Sequence, residues 1–131
     1  MQKQIQHVVS RLEDLSAEDI PWLIGGDFNL LPPGQYEALP QALRDNYQAK
    51  SEIETLYRQF KAIPRLEDLK GKDRIKWFTH FPNDPRSKGP DRTIDYFFHS
   101  ETMHMERSHV RQFDTLAISD HFPMVAEMRL L

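Results

Sequence analysis

Cysteine is absent from this sequence. That excludes disulfides and thiolate metal sites, and it favours a reducing compartment such as the cytoplasm. Long apolar runs are also missing. Nothing approaches the length of a membrane-spanning helix, and the opening Met-Gln-Lys-Gln-Ile-Gln lacks a secretory apolar core. There is no internal repeat, no low-complexity segment and no break in composition that would mark a domain boundary. Nor is there a strong excess of one charge. The formal net charge is −3, whereas a protein that holds nucleic acid chiefly by its phosphates is usually basic. The mild acidity weakens, without excluding, a nucleic-acid substrate. What remains is 131 residues with 39% hydrophobic and 28% charged side chains, enough for one globular domain with its own core.

Hydrophobic spacing predicts an amphipathic helix over residues 2–15, with Ile5, Val8, Val9, Leu12 and Leu15 on one face. The apolar run Trp22-Leu23-Ile24 suits a buried strand that Gly25-Gly26 breaks before Asp27. Residues 35–62 read as two helical pieces, 35–45 and 51–60, the second opened by a Ser51/Glu54 capping-box pattern. A short helical turn over 66–71 ends at Gly71. Strands are expected over 75–81, 93–99, 108–113 and 124–130, with a proline-rich loop over 82–90. In the 93–99 strand, Ile94, Tyr96 and Phe98 face opposite to Thr93, Asp95 and Phe97.

Three short segments carry the chemistry. In Gly25-Gly26-Asp27-Phe28-Asn29, a carboxylate and a carboxamide two residues apart point to the same side of an extended backbone. Such a pair can orient a water, take its proton and touch a metal or phosphoryl oxygen. The plainer reading is an Asx turn after a strand. In Arg92-Thr93-Ile94-Asp95-Tyr96, Asp95 lies inside an apolar strand. A buried carboxylate needs a partner, which is a histidine, a metal or a basic residue such as Arg92. Asp91 reads as a loop charge. In Ser119-Asp120-His121-Phe122-Pro123, adjacent Asp and His follow the Asp95 strand at the separation of a hairpin-like return. An Asp95–His121 hydrogen bond would favour the charged imidazole, suited to hold a phosphoryl oxygen.

The order and wording of these segments resemble the endonuclease/exonuclease/phosphatase superfamily, from about residue 2 to the C-terminus. The resemblance implies two packed β-sheets flanked by helices, an α+β arrangement, with the active site where the sheets meet at one edge. It implies that Asp27 and Asn29 activate the attacking water. It implies that His121, oriented by Asp95, binds the phosphoryl group with Asn29. Asp120 and Asp27 would support Mg²⁺ or Mn²⁺, and the reaction would be in-line hydrolysis of a phosphoester in a nucleic acid, an inositol phosphate or a phospholipid head group. The Asn and metal-binding Glu that members carry on early strands, and a later strand-borne His or Tyr, have no match here. Glu13, Glu18 and His7 lie on or after the first helix. Residues 1–131 are therefore expected to be one partial domain, the C-terminal half of the two-sheet sandwich, with a weakened or unoccupied metal site and impaired hydrolysis. A sheet face left open around 22–24 and 93–98 would be covered by a second copy or a missing N-terminal half.

Other residues invite several readings. Trp77 and His80 are candidate substrate contacts, with core packing the competing role. Arg86, Lys88 and Arg92 suit either a phosphate rim or a solvated loop. Met103-His104-Met105 lacks further soft ligands and reads as packing. His99 and His109 read as ordinary histidines. The alternative function, from a different class, is a non-catalytic interaction module that retains the scaffold.

Overall fold

The computed structural model describes residues 2–82 and 86–131. Part of the 82–90 loop, residues 83–85, lies outside the described residues. The elements, in chain order, are helix α1 (Gln2–Ala17), strand β1 (Leu23–Asp27), helices α2 (Gln41–Arg44) and α3 (Ile53–Gln59), strand β2 (Lys61–Ile63) and helix α4 (Leu66–Lys70). They continue with a 3₁₀ turn (Arg74–Trp77) and strands β3 (Asp95–His99), β4 (Met103–Val110) and β5 (Met124–Leu130). The strands form two antiparallel sheets, β1-β3-β2 and β4-β5. The fold is mixed α+β, consistent with the expected fragment of a two-sheet fold. No helix among the described residues is long and apolar enough to cross a membrane.

Helix α1 forms as its spacing dictates and buries Ile5, Val9 and Leu12. They pack with α3 residues Ile53, Leu56 and Tyr57 over Trp22, Tyr96 and Phe98 in one core. Those three aromatic residues are at most 6% exposed. The helix-facing side of the β1-β3-β2 sheet is thus closed by the chain's own helices. On the other side Leu23 is exposed and Phe97 half-buried. A smaller cluster joins Leu31, Leu39 and Ile94. No residue of β4 or β5 is fully buried.

The two glycines do not break β1. The strand runs through them, pairing Gly25 with Phe97, Gly26 with Tyr96 and Asp27 with Asp95. The Phe97 ring lies across Gly25, where an added Cβ would overlap it. Gly26 sits at φ +146°, a backbone closed to most L side chains. Gly25 lets a bulky ring cross the strand, and the ladder carries Asp27 to the sheet's edge.

Several boundaries differ from the sequence reading. The 35–45 helix shrinks to Gln41–Arg44 because Pro40 supplies no N–H and the Gln35 side chain is diverted. Gln35 accepts from the Thr93 N–H at 2.9 Å and donates to Thr93 Oγ1 at 3.2 Å. The Ser51 hydroxyl lies 3.4 Å from the Ile53 N–H, and the reciprocal Glu54 bond of a capping box is not formed. That motif appears instead at α4, between Arg65 and Asp68. Strand β2 was not expected, and β4 starts five residues before the anticipated 108.

The largest difference is at 75–81, which is not a strand. After the 3₁₀ turn only His80 bridges, to Arg92 and to His121. Buried Thr79 explains why. Its N–H donates to the Arg92 carbonyl at 2.9 Å, and its carbonyl accepts from the Phe122 N–H at 2.7 Å. Its hydroxyl oxygen accepts from the N–H groups of Ile94 and Asp95 at 3.1 and 3.3 Å. The side chain takes up the bonds that a longer ladder would otherwise make. The hairpin-like return from the Asp95 strand to His121 is likewise absent. Strand β3 pairs with β1 and β2, and the 79–80 segment joins 92–95 to 120–122.

Two predictions concern stability. Gly25→Ala should cost about 1–3 kcal/mol by forcing the Phe97 ring aside, read from chemical denaturation midpoints. His99 is 5% exposed and its Nδ1 lies 3.0 Å from the Ser100 carbonyl. Burial, helped by the charges of Lys61 and His104, outweighs that bond and lowers its pKa below the ordinary histidine value. The unfolded chain therefore binds a proton that the fold resists. Stability should be fully present above the unfolded pKa and fall as pH drops through it towards the folded value. His99→Gln should flatten this acid limb in thermal melts across pH, whereas an unchanged slope would count against it.

Candidate active site

At the C-terminal end of β1, a cleft of about 420 Å³ is lined by Asp27, Asn29, Asn46, Tyr47, His80, Arg92, Ile94 and His121. A larger cavity, about 530 Å³, lies between α1 and residues 99–102 and contains no pair of imidazoles. Volume alone points there; the convergence of titratable groups points to the cleft.

The strand ladder delivers Asp27, and a turn then re-aims the chain. The Asn29 N–H donates to Asp27 Oδ1 at 2.7 Å, and Asn29 has φ +49°. The plainer reading, an Asx turn, is therefore what forms, and extended spacing is not what aligns the two side chains. The turn serves the site nonetheless. Asp27 Oδ2 remains directed at His121 Nε2, 3.8 Å away, and the Asn29 carboxamide has no hydrogen-bond partner among the described residues. Phe28 anchors the turn edge-on to Tyr96 and Phe98.

Asp95, opposite Asp27 in the ladder, accepts from His121 Nδ1 at 2.9 Å. Burial disfavours the His121 cation. The hydrogen bond to Asp95 and the charges of Asp95, Asp27 and Asp120 outweigh it, and the pKa rises above the ordinary histidine value. Arg92 does not pair with Asp95. It is 7% exposed and grips Asp91 with Nε at 2.8 Å and Nη2 at 2.9 Å, while Nη1 donates to the Tyr47 hydroxyl at 2.9 Å.

Asp91 is more than a loop charge. Its Oδ1 lies 3.2 Å from His80 Nδ1. Burial would raise its pKa, but hydrogen bonds from His80 and Arg92 hold it below the usual carboxylate range. His80 Nε2 in turn lies 3.7 Å from Asp120 Oδ2. The two imidazoles stand edge to face with centroids 5.6 Å apart. Each has a carboxylate at Nδ1 and another near Nε2: Asp95 and Asp27 for His121, Asp91 and Asp120 for His80.

Asp27, Asn29, His80 and His121 thus line one cleft, with Asp95 and Asp120 each beside one of its imidazoles. Trp77 does not line it. Trp77 packs against the main core, and its carbonyl accepts from Thr93 Oγ1 at 2.8 Å. Lys88 and Arg86 are exposed on the loop. Asn46, Tyr47 and Asp91 were not singled out as site residues by sequence. For Tyr47 no local signal existed, because its role depends on Arg92, 45 residues away. Asp27, Asp95 and His121 also offer ligand atoms within 4.8 Å of one another. Asp95 and His121 are also bonded to each other, and Asp120 is not part of this group.

Asp95→Asn should lower the His121 pKa, because an opposite charge at this range favours the cation. An NMR titration of the imidazole would test this, and an unmoved titration would show that Asp95 does not set its charge. Thr79→Val should cost about 1–3 kcal/mol through the unsatisfied N–H groups of Ile94 and Asp95. Denaturation midpoints would measure it.

The model of the Endonuclease/Exonuclease/phosphatase family matches residues 1–121, a span that ends on His121. No curated protein and no solved structure matches the chain.

Proposed function

This chain belongs to the Endonuclease/Exonuclease/phosphatase family, whose members hydrolyse phosphoesters, and from that premise we propose that the cleft at the end of β1 is a metal-dependent phosphoester hydrolase site. The observation that carries the reading is the Asp95–His121–Asp27 array beside the free Asn29 carboxamide. Its roles follow from charge and reach. His121, kept cationic by Asp95, binds a non-bridging phosphoryl oxygen through Nε2. Asn29 donates to the same phosphoryl group or to the attacking water. Asp27 takes the water's proton as the water oxygen bonds to phosphorus. The opposite phosphorus–oxygen bond breaks in line, and the departing oxygen is protonated from solvent. His80, fixed by Asp91, borders the substrate, and Asp120 supports the water network.

Asp27 and Asp120 are the residues suited to hold Mg²⁺ or Mn²⁺, hard ions that accept one or two carboxylates and complete their shells with water and substrate oxygens. When bound, such a cation supplies Lewis-acid neutralisation of charge at the phosphoryl oxygens. Two monodentate carboxylates make a weak site, so hydrolysis by this chain is expected to be slow and to need high metal concentrations.

The test is hydrolysis of bis(p-nitrophenyl) phosphate with Mg²⁺ or Mn²⁺. Asp27→Ala and His121→Ala should each lower the rate roughly 10²-fold or more, and chelation should remove it. A rate indifferent to both substitutions would sink the assignments. A folded chain that binds phosphoesters without cutting them would favour the non-catalytic module.

A further inference from the structure

The arm that delivers Asp120 and His121 carries apolar side chains with nothing over them. Phe113, Leu116 and Ile118 are 54%, 44% and 84% exposed. Isolated exposed apolar residues are ordinary; these are concentrated in six residues that lead directly into the site. Phe113 rests one side of its ring near Phe81 and Phe122, at 6.2 and 5.5 Å between centroids. Its backbone has φ +75°, an unfavourable value for a bulky residue. The turn that follows is closed by the N–H groups of Ile118 and Ser119, both bonded to the Thr115 carbonyl at 3.0 Å. That turn holds Ile118 at the surface.

A second segment joins this one. Gln112 donates from Nε2 to the Ile75 carbonyl at 2.7 Å and to the Phe78 carbonyl at 3.1 Å. The bonds fasten the arm to the 3₁₀ turn, whose Ile75 is 53% exposed. Residues 70–76 read Lys-Gly-Lys-Asp-Arg-Ile-Lys, four cations against one anion, in a chain of net charge −3. All seven are exposed. Asp73 lies 3.7 Å from Lys76, while Lys70, Lys72 and Arg74 have no ion-pair partner among the described residues. On the arm, Asp114 is neutralised by Arg111 at 2.6 Å.

We propose that these two segments form a docking surface for an anionic lipid membrane. Exposed Ile75, Phe113, Leu116 and Ile118 would enter the interface while Lys70, Lys72 and Arg74 meet the lipid phosphates. Exposed apolar tips beside unpaired cations match an interface that offers both acyl chains and negative charge. Nucleic acid would engage the cations but leave the aliphatic tips without a partner. Because the arm continues into Asp120 and His121, docking would bring a lipid head group to the cleft. That last step rests on the phosphoester reading, whereas the docking does not.

The experiment is co-sedimentation of the full chain with vesicles of phosphatidylcholine alone and of phosphatidylcholine mixed with phosphatidylserine. Binding to the mixed vesicles should exceed binding to the neutral ones and weaken with salt. The Leu116→Asp/Ile118→Asp double variant should reduce binding by about tenfold or more. Lys72→Glu/Arg74→Glu should remove the preference for phosphatidylserine. These residues are exposed, and circular dichroism would verify that the variants stay folded. The wild-type chain remaining in the supernatant with both vesicles would overturn the proposal. So would binding to a duplex oligonucleotide that the aspartate variants leave intact, or a dimer that those variants disperse. Hydrolysis of the soluble diester should be unchanged in Leu116→Asp/Ile118→Asp. Hydrolysis without vesicle binding would refute the docking alone; vesicle binding without hydrolysis of any phosphoester would refute the hydrolase reading alone.

Discussion

Buried Thr79 is the joint on which the site depends. It bonds in three directions at once: to the Arg92 carbonyl, to the N–H groups of Ile94 and Asp95, and to the Phe122 N–H. Those bonds bring the start of β3 and the segment before β5 to opposite sides of one residue. Asp95 and His121 are 26 residues apart, yet their side chains meet at 2.9 Å. The next residue, His80, bridges the same two segments, so the second imidazole is set by the same joint. Because the joint is buried, water cannot replace its bonds, and losing one leaves a polar group unpaired.

Charge is then arranged around that joint in two parallel pairs. Each imidazole is turned by a carboxylate at Nδ1, and its Nε2 is left beside a second one. The carboxylates differ in support. Asp91 is gripped by buried Arg92, which Tyr47 also holds. Among the described residues Asp95 has no ion-pair partner but His121, whose Nδ1 lies 2.9 Å from its Oδ2. The His80 pair is thus anchored from behind by an arginine, and the His121 pair has no such anchor among the described residues.

Much of the fold was legible because it rests on local periodicity. Helix α1, the alternation of Ile94, Tyr96 and Phe98, and strand β5 all follow from spacing that a single segment contains. The misread elements share one cause. Residues 75–81 have the aromatic and β-branched content of a strand, but their hydrogen bonds go to Thr79's distant partners. Gln35 belongs to a helical pattern, yet its amide is taken by Thr93, 58 residues on. Gly25 and Gly26 look like strand breakers until the Phe97 ring that crosses Gly25 is known.

The sequence by itself determined which side chains could do chemistry. Asp27, Asn29, Asp95, Asp120 and His121 stand in three segments whose wording is specific, because a carboxylate inside an apolar strand demands a partner. Only the tertiary structure decided which partner each one takes. It gave Arg92 to Asp91 rather than to Asp95, gave His80 its place beside Asp120, and set Trp77 into the core. It also left Phe113, Leu116 and Ile118 exposed on the segment that leads to Asp120 and His121. Pairing and exposure depend on distances between residues far apart in the chain, and no local pattern encodes those distances.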